Sequence, residues 1–195
     1  MANFVDEFMR SYGSKVSKNL SGTLGLDRGL IKQIIPQIAP LILGGLKKQK
    51  DDHGGTERVD HILNKYGSPD VLGDLAGLFR EKASDSNPDP NLGGLLGNSG
   101  VNAANTIAKK FNIDGSTALK LIPMLAPVIL GALSKKRNKR SVGSTGIASL
   151  LDQDGDGSIL DDVAGFLINS MGSGSGKKSG GLLGGLLGTF LGKKR

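Results

Sequence analysis

The stretch LDRGLIKQIIPQIAPLILGGLKKQK, residues 26–50, decides the fold, because IDGSTALKLIPMLAPVILGALSKKR, residues 113–137, repeats it without a gap at an offset of 87. Asp27 falls on Asp114, Pro36 on Pro123, Ala39-Pro40 on Ala126-Pro127, and Ile42-Leu43-Gly44 on Ile129-Leu130-Gly131. Downstream, VLGDLAGLF (71–79) matches ILDDVAGFL (159–167) at an offset of 88, and LGGLLG recurs at 92–97 and 183–188. Three matches in the same order and at nearly the same spacing read as a tandem duplication of one unit.

Each unit reads as helical. VDEFMRSYGSKVSKNL (5–20) and VNAANTIAKKF (101–111) carry apolar residues three and four apart, as amphipathic helices do. LIPMLAPVILGAL (121–133) is apolar nearly all round, which suits the centre of a helical core. Pro123 and Pro127, like Pro36 and Pro40, lie four apart on one face. Each removes an amide donor and crowds the carbonyl four residues back, so a kink is expected, or a break into two shorter helices. No β alternation repeats, and the expected fold class is all-α, a tandem duplication with kinked Pro-x-x-x-Pro central helices. The longest uninterrupted apolar run is 13 residues, and Lys32, Gln33 and Gln37 interrupt its counterpart. A membrane span needs about 20 such residues, so a buried core is expected instead.

The domain reading follows from composition. Residues 1–80 form a first helical repeat and 81–100 a linker with a Gly/Leu segment. Residues 101–171 form a second repeat with an acidic loop, and 172–195 a Gly/Ser tether ending in a Gly/Leu tail. The polar, proline-bearing EKASDSNPDPN (81–91) separates the copies. The copies form two lobes or pair their central helices into one core. The second is preferred, since each copy alone is short of apolar mass.

The absence of cysteine excludes disulfides, thiolate zinc sites and cysteine nucleophiles. The start MANFVDEFMRSYGSK lacks a cationic segment before an apolar run, and a cytoplasmic location is the expectation. Of 25 cations, 13 fall in four clusters: 47–50, 135–140, 177–178 and 193–195. The first two follow apolar helices, where cations complement the helix dipole. Contact with phosphate or anionic lipid is the other reading. Nucleic-acid binding lacks both a motif and interleaved aromatics.

One stretch has ion-site spacing: LLDQDGDGSILDDVAGF, residues 150–166. Counting Asp152 as position 1 of a calcium loop puts Asp154 at 3, Asp156 at 5, Gly157 at the turn, and Ser158 at 7 with its backbone carbonyl. Position 12 is Val163, so Asp161 or Asp162 would have to close the cage. Calcium would then bind weakly, at about 10⁻⁴ to 10⁻³ M. The competing reading is a capping box, Ser158 over a first helical turn with Asp161 reaching back. The first copy has NKYGSPD (64–70) at the matching positions, so that turn forms without the three aspartates.

The combination of IPMLAPVILGAL, LLDQDGDGSILDDVAG and the closing GGLLGGLLG resembles the YidB-like family, bacterial proteins grouped as a domain of unknown function. The resemblance runs from about Leu26 to the end and is strongest after Asn112. It implies a small all-α protein and carries no catalytic residues with it.

The tail SGGLLGGLLGTFLGKKR would show a glycine stripe if helical, and is too short to span a bilayer. Docking of its leucines, in cis or on another protomer, is preferred over a lipid anchor, because the internal copy lies between the repeats. The histidines, His53 and His61, read as solvated rather than catalytic. No phosphate loop or nucleophile elbow is present, and no small-molecule substrate is identified. The expectation is a non-enzymatic helical binding or structural module with a candidate calcium loop at 152–162. Its tail serves self-association, or a protein partner binds. The alternative is a peripheral protein on an anionic membrane surface, using the basic clusters and the tail.

Overall fold

The computed structural model describes residues 4–140. Among these residues the order is α1 (Phe4–Phe8), a π turn (Met9–Gly13), α2 (Ser14–Leu24), α3 (Arg28–His53) and α4 (Gly55–Tyr66). A 3₁₀ turn (Pro69–Leu72), α5 (Leu75–Ser84), α6 (Ser99–Phe111) and α7 (Gly115–Arg140) follow, and the described residues contain no strand. The fold is all-α, as expected.

The joints explain where helices stop. Gly25 ends α2 in the left-handed conformation, φ 69°, its amide donating to the Ser21 carbonyl. Asp27 then caps α3, its carboxylate accepting from the Leu30 amide at 2.9 Å. The second joint repeats this. Asn112, φ 49°, ends α6, and Asp114 accepts from the amides of Ser116 at 2.8 Å and Thr117 at 3.0 Å. Asparagine bears this conformation better than most residues, which fits its place in the glycine's position.

Helices α3 and α7 are each 26 residues long. Of the kink or break expected at the prolines, the break is absent: each helix runs unbroken through both prolines. All four prolines sit on half-buried stripes, where a carbonyl without its amide partner can still reach water. The rest of the circumference holds the helix in place. Ile31, Ile34, Ile35, Ile38 and Ile42 of α3 are fully buried, as are Leu121, Ile122, Leu125, Val128 and Ile129 of α7. These residues belong to one continuous core, shared by helices from both halves of the chain.

By length and composition alone, α3 and α7 each suffice to cross a membrane, although neither has 20 uninterrupted apolar residues. In this fold both are wrapped by the other helices.

The linker differs from its expected outline. Helix α5 continues through Ser84, so residues 81–84 are helical and the connection runs from 85 to 98. It is a docked loop. The Asp89 carboxylate accepts from the amides of Asn91 at 2.9 Å and Gly93 at 2.6 Å. Leu92, Gly93, Gly94 and Gly97 all have positive φ, which winds the segment tightly. Leu96 is buried against Gly45 of α3, where a Cβ would come within 2.7 Å of Leu96 Cδ2 and 2.8 Å of the Leu95 carbonyl oxygen. The internal Gly/Leu segment therefore packs its leucine on a neighbouring helix, as its sequence suggested.

Candidate functional site

The proline stripe of α7 forms the floor of a cleft of about 480 Å³. Pro123, Ala126, Pro127 and Leu130 supply that floor, and Ile62 of α4 with Leu92 and Leu95 of the docked loop supply apolar walls. A proline cannot donate to the carbonyl four residues back, so Pro123 and Pro127 release the Leu119 and Pro123 carbonyls from the helical ladder on this same stripe. The floor is apolar.

Two further elements frame the opening. Gly54 and Gly55, φ 119° and 66°, turn the chain from α3 into α4. Helix α4 then presents Arg58, His61, Lys65 and Tyr66 along one edge. Across from them stand Lys82 at the end of α5, Asp85 and Asp89. The acids are engaged: Asp89 holds two loop amides, and Asp85 accepts from the Asn87 amide at 2.9 Å. The cations have partners of their own, Lys82 pairing with Glu81 at 3.6 Å. Arg58 donates through Nε to Gln49 Oε1 at 2.9 Å, and Lys65 Nζ lies 5.2 Å from the centre of the Tyr66 ring. Tyr66 is 54% exposed at the rim, an unusual place for a large ring in a chain with 4% aromatics. The site offers an apolar bed, a ring and a cationic edge.

The calcium-site residues expected from sequence, Asp152, Asp154, Asp156, Ser158, Asp161 and Asp162, lie outside the described residues, as does the tail. Among the described residues, no group of three or more His, Cys, Asp or Glu side chains is placed to hold a metal. The residues aligned in sequence with the acidic loop are among those described. Asn64 and Tyr66 lie on the last turn of α4, and the Ser68 hydroxyl accepts from the Asp70 amide to start the 3₁₀ turn. His53 and His61 are both exposed, and His61 lines the cleft.

Three cations of the second basic cluster have partners in the fold. Arg137 donates to Asp60 at 2.9 Å and to Asn64 at 2.8 Å, Lys136 pairs with Glu7, and Lys135 Nζ lies 5.9 Å from the Tyr12 ring centre. At the end of α3, Lys47 and Lys48 pair with Asp51 and Asp52 one turn on. Lys48, Lys135 and Lys139 are exposed, as cations at solvated helix ends are, while the pairings and the cleft are not legible in the sequence. The cleft combines residues 58–66, 82–95 and 123–130, and no local pattern joins those three segments.

Residues 6–136 match a family described as "Bacterial protein of unknown function (DUF937)". The match starts upstream of the resemblance noted from the repeats and stops before the acidic loop. No curated protein matches the chain, and no solved structure does.

Proposed function

The chain belongs to this bacterial DUF937 family, and we propose that it is a non-enzymatic helical binding module whose ligand site is the cleft over the proline stripe of α7. One observation carries the reading: an apolar floor of small-molecule size lies beside a cationic edge whose neighbouring acids are committed to backbone amides. That arrangement suits a small apolar body carrying one anionic end, with the ring of Tyr66 over the body and Arg58 or Lys65 at the charge.

Titration of the full chain with a fluorescent naphthalene sulfonate tests this. We expect saturable binding, weakened about tenfold or more by Arg58→Ala with Lys65→Ala and blocked by Ala126→Phe, which fills the floor. Equal binding by parent and variants, or no binding at all, would reject the cleft as the site.

We also propose that the two halves are copies of one unit. Support comes from α3 and α7, which start 87 residues apart, and from their joints: the left-handed Gly25 and Asn112, and the capping Asp27 and Asp114, are also 87 apart. A cytoplasmic location goes with this reading, in which α3 and α7 are core helices. The engaged cations of 135–137 favour a protein or small-molecule partner over a lipid surface. Self-association through 172–195 remains part of the proposal, tested by the mass of the full chain and of a chain ending at 171.

A further inference from the structure

The start of the chain meets the end of α7 through a row of rings. Phe4, Phe8 and Tyr12 stand in line, with ring centres 6.2 Å apart from Phe4 to Phe8 and 5.6 Å from Phe8 to Tyr12. In a regular α-helix, side chains four apart drift by about 40° at each step, which would carry the third ring about 80° round from the first. The π turn at Met9–Gly13 winds less per residue and brings Tyr12 back into the row. Met9 packs over Gly13, where a Cβ would stand 3.1 Å from its Cε. Turns of this kind recur at functional sites.

A groove of about 180 Å³ lies between this row and α7. Lys135, Lys136 and Lys139 line it from α7, Glu7 and Ser11 from the other side. It shares no residue with the cleft over the proline stripe. The rings steady two of the cations: Lys135 Nζ lies 5.9 Å from the centre of the Tyr12 ring and Lys136 Nζ 5.8 Å from that of Phe4. Both are near the outer limit of a cation–π contact, so the charges stay available to a ligand.

Charge and size narrow the ligand. Lys136 keeps only 12% of its side chain exposed and pairs with Glu7. Lys135 and Lys139 are exposed, and neither meets a carboxylate among the described residues. Two uncompensated cations match a phosphate monoester, which carries about −1.5 to −2 at pH 7, better than a carboxylate or a phosphodiester. Ammonium groups serve phosphate as point charges, and among the described residues no arginine lines the groove to offer a carboxylate its planar fork. Residues four apart on a helix have Cβ atoms about 5–6 Å apart, near enough for two lysines to close on one phosphate. The carbonyls ending α7 oppose an anion only over the last turn, and Lys135 stands before it. Pockets for drug-sized ligands run to about 300–1,000 Å³, so the body attached to this phosphate must be small. Ser11 and Tyr12 carry hydroxyls without a hydrogen-bond partner among the described residues, which suits a body that itself bears hydroxyls.

We infer that this groove binds the phosphate monoester of a small hydroxylated molecule, its phosphate held by Lys135 and Lys139. Calorimetric titration of the full chain with glycerol 3-phosphate tests this, at about 0.15 M salt so that distant charges are screened. Saturable binding is expected, weakened about tenfold or more by Lys135→Ala with Lys139→Ala. Glu7→Gln removes the competing carboxylate and should tighten it. Lys32→Ala with Lys48→Ala takes the same two charges from exposed positions on α3 and should leave binding unchanged. Dimethyl phosphate, a monoanion, should bind about tenfold more weakly than the monoester. No binding, or equal losses in the two double variants, would overturn the inference. So would binding confined to phosphatidylcholine vesicles containing phosphatidic acid, which would make the source of the phosphate a membrane surface. Glycerol 3-phosphate has no apolar body to lie over the proline stripe, so this titration and that of the cleft fail independently.

Discussion

The aspartates that begin α3 and α7 show how a single side chain sets a helix boundary. An aspartate just before an apolar run is an N-cap signal, and alignment of the repeats pairs Asp27 with Asp114 without showing what either does. Asp114 accepts from Thr117 and Ser116, side chain and backbone, and these bonds lower its pKa from the ordinary 3.8 to about 2. The folded state therefore holds its proton less readily than the unfolded chain. Its contribution to stability is complete above about pH 4 and disappears as pH falls through 2. Asp114→Asn leaves one acceptor oxygen where the carboxylate uses two, and cannot titrate. We expect that variant to melt below the parent at pH 7 and to fall less steeply between pH 4 and 2, so that the two curves converge at low pH. Parallel curves across that range would remove Asp114 from the acid response.

Helices and their junctions were largely legible. Periodicity located the apolar faces of residues 5–20 and 101–111, and the repeat located α3 and α7. The behaviour of the prolines was not legible, because a helix apolar all round does not reveal which stripe meets solvent. In the fold it is the proline stripe, so the missing amides cost little and the helices stay whole. The Gly/Leu loop makes the complementary point: glycine composition resembles a flexible linker, yet Gly45 is needed because Leu95 and Leu96 lie against it. Two glycines in helices should thus respond oppositely to the same substitution. A Cβ at Gly22 of α2 would meet nothing within 4 Å, so Gly22→Ala should stabilise by about 0.5–1 kcal/mol through helix propensity. Gly45→Ala gains the same propensity but pushes on a backbone carbonyl, and should destabilise by about 1–3 kcal/mol. Urea midpoints of the two variants measure the contrast; a stabilised Gly45→Ala would mean the loop is not docked there.

At the scale of the molecule, sequence left two architectures open, separate lobes or one core, and the apolar mass of each half favoured the second. Among the described residues the long helices pack on each other within one continuous core. The cleft was beyond reach for the same reason the core was not: the core needs only apolar faces that find one another, whereas the cleft needs three polar-edged segments brought to one place by turns at Gly54, Gly55 and Asp89. A shared core has a thermodynamic consequence. Ile42 of α3 and Ile129 of α7 occupy matched positions and are both fully buried. Truncating either to alanine should cost roughly 2–5 kcal/mol, the transfer loss plus the cavity left behind. If the halves share one core, both truncations move the same single unfolding transition, whether followed by far-ultraviolet dichroism or by the fluorescence of Tyr12 and Tyr66. Independent lobes would behave differently: Ile42→Ala would shift an early phase and leave a later one in place, and the two probes would part. Coincident transitions in both variants are the expected result, because neither half can lose an isoleucine from this core without loosening the contacts of the other.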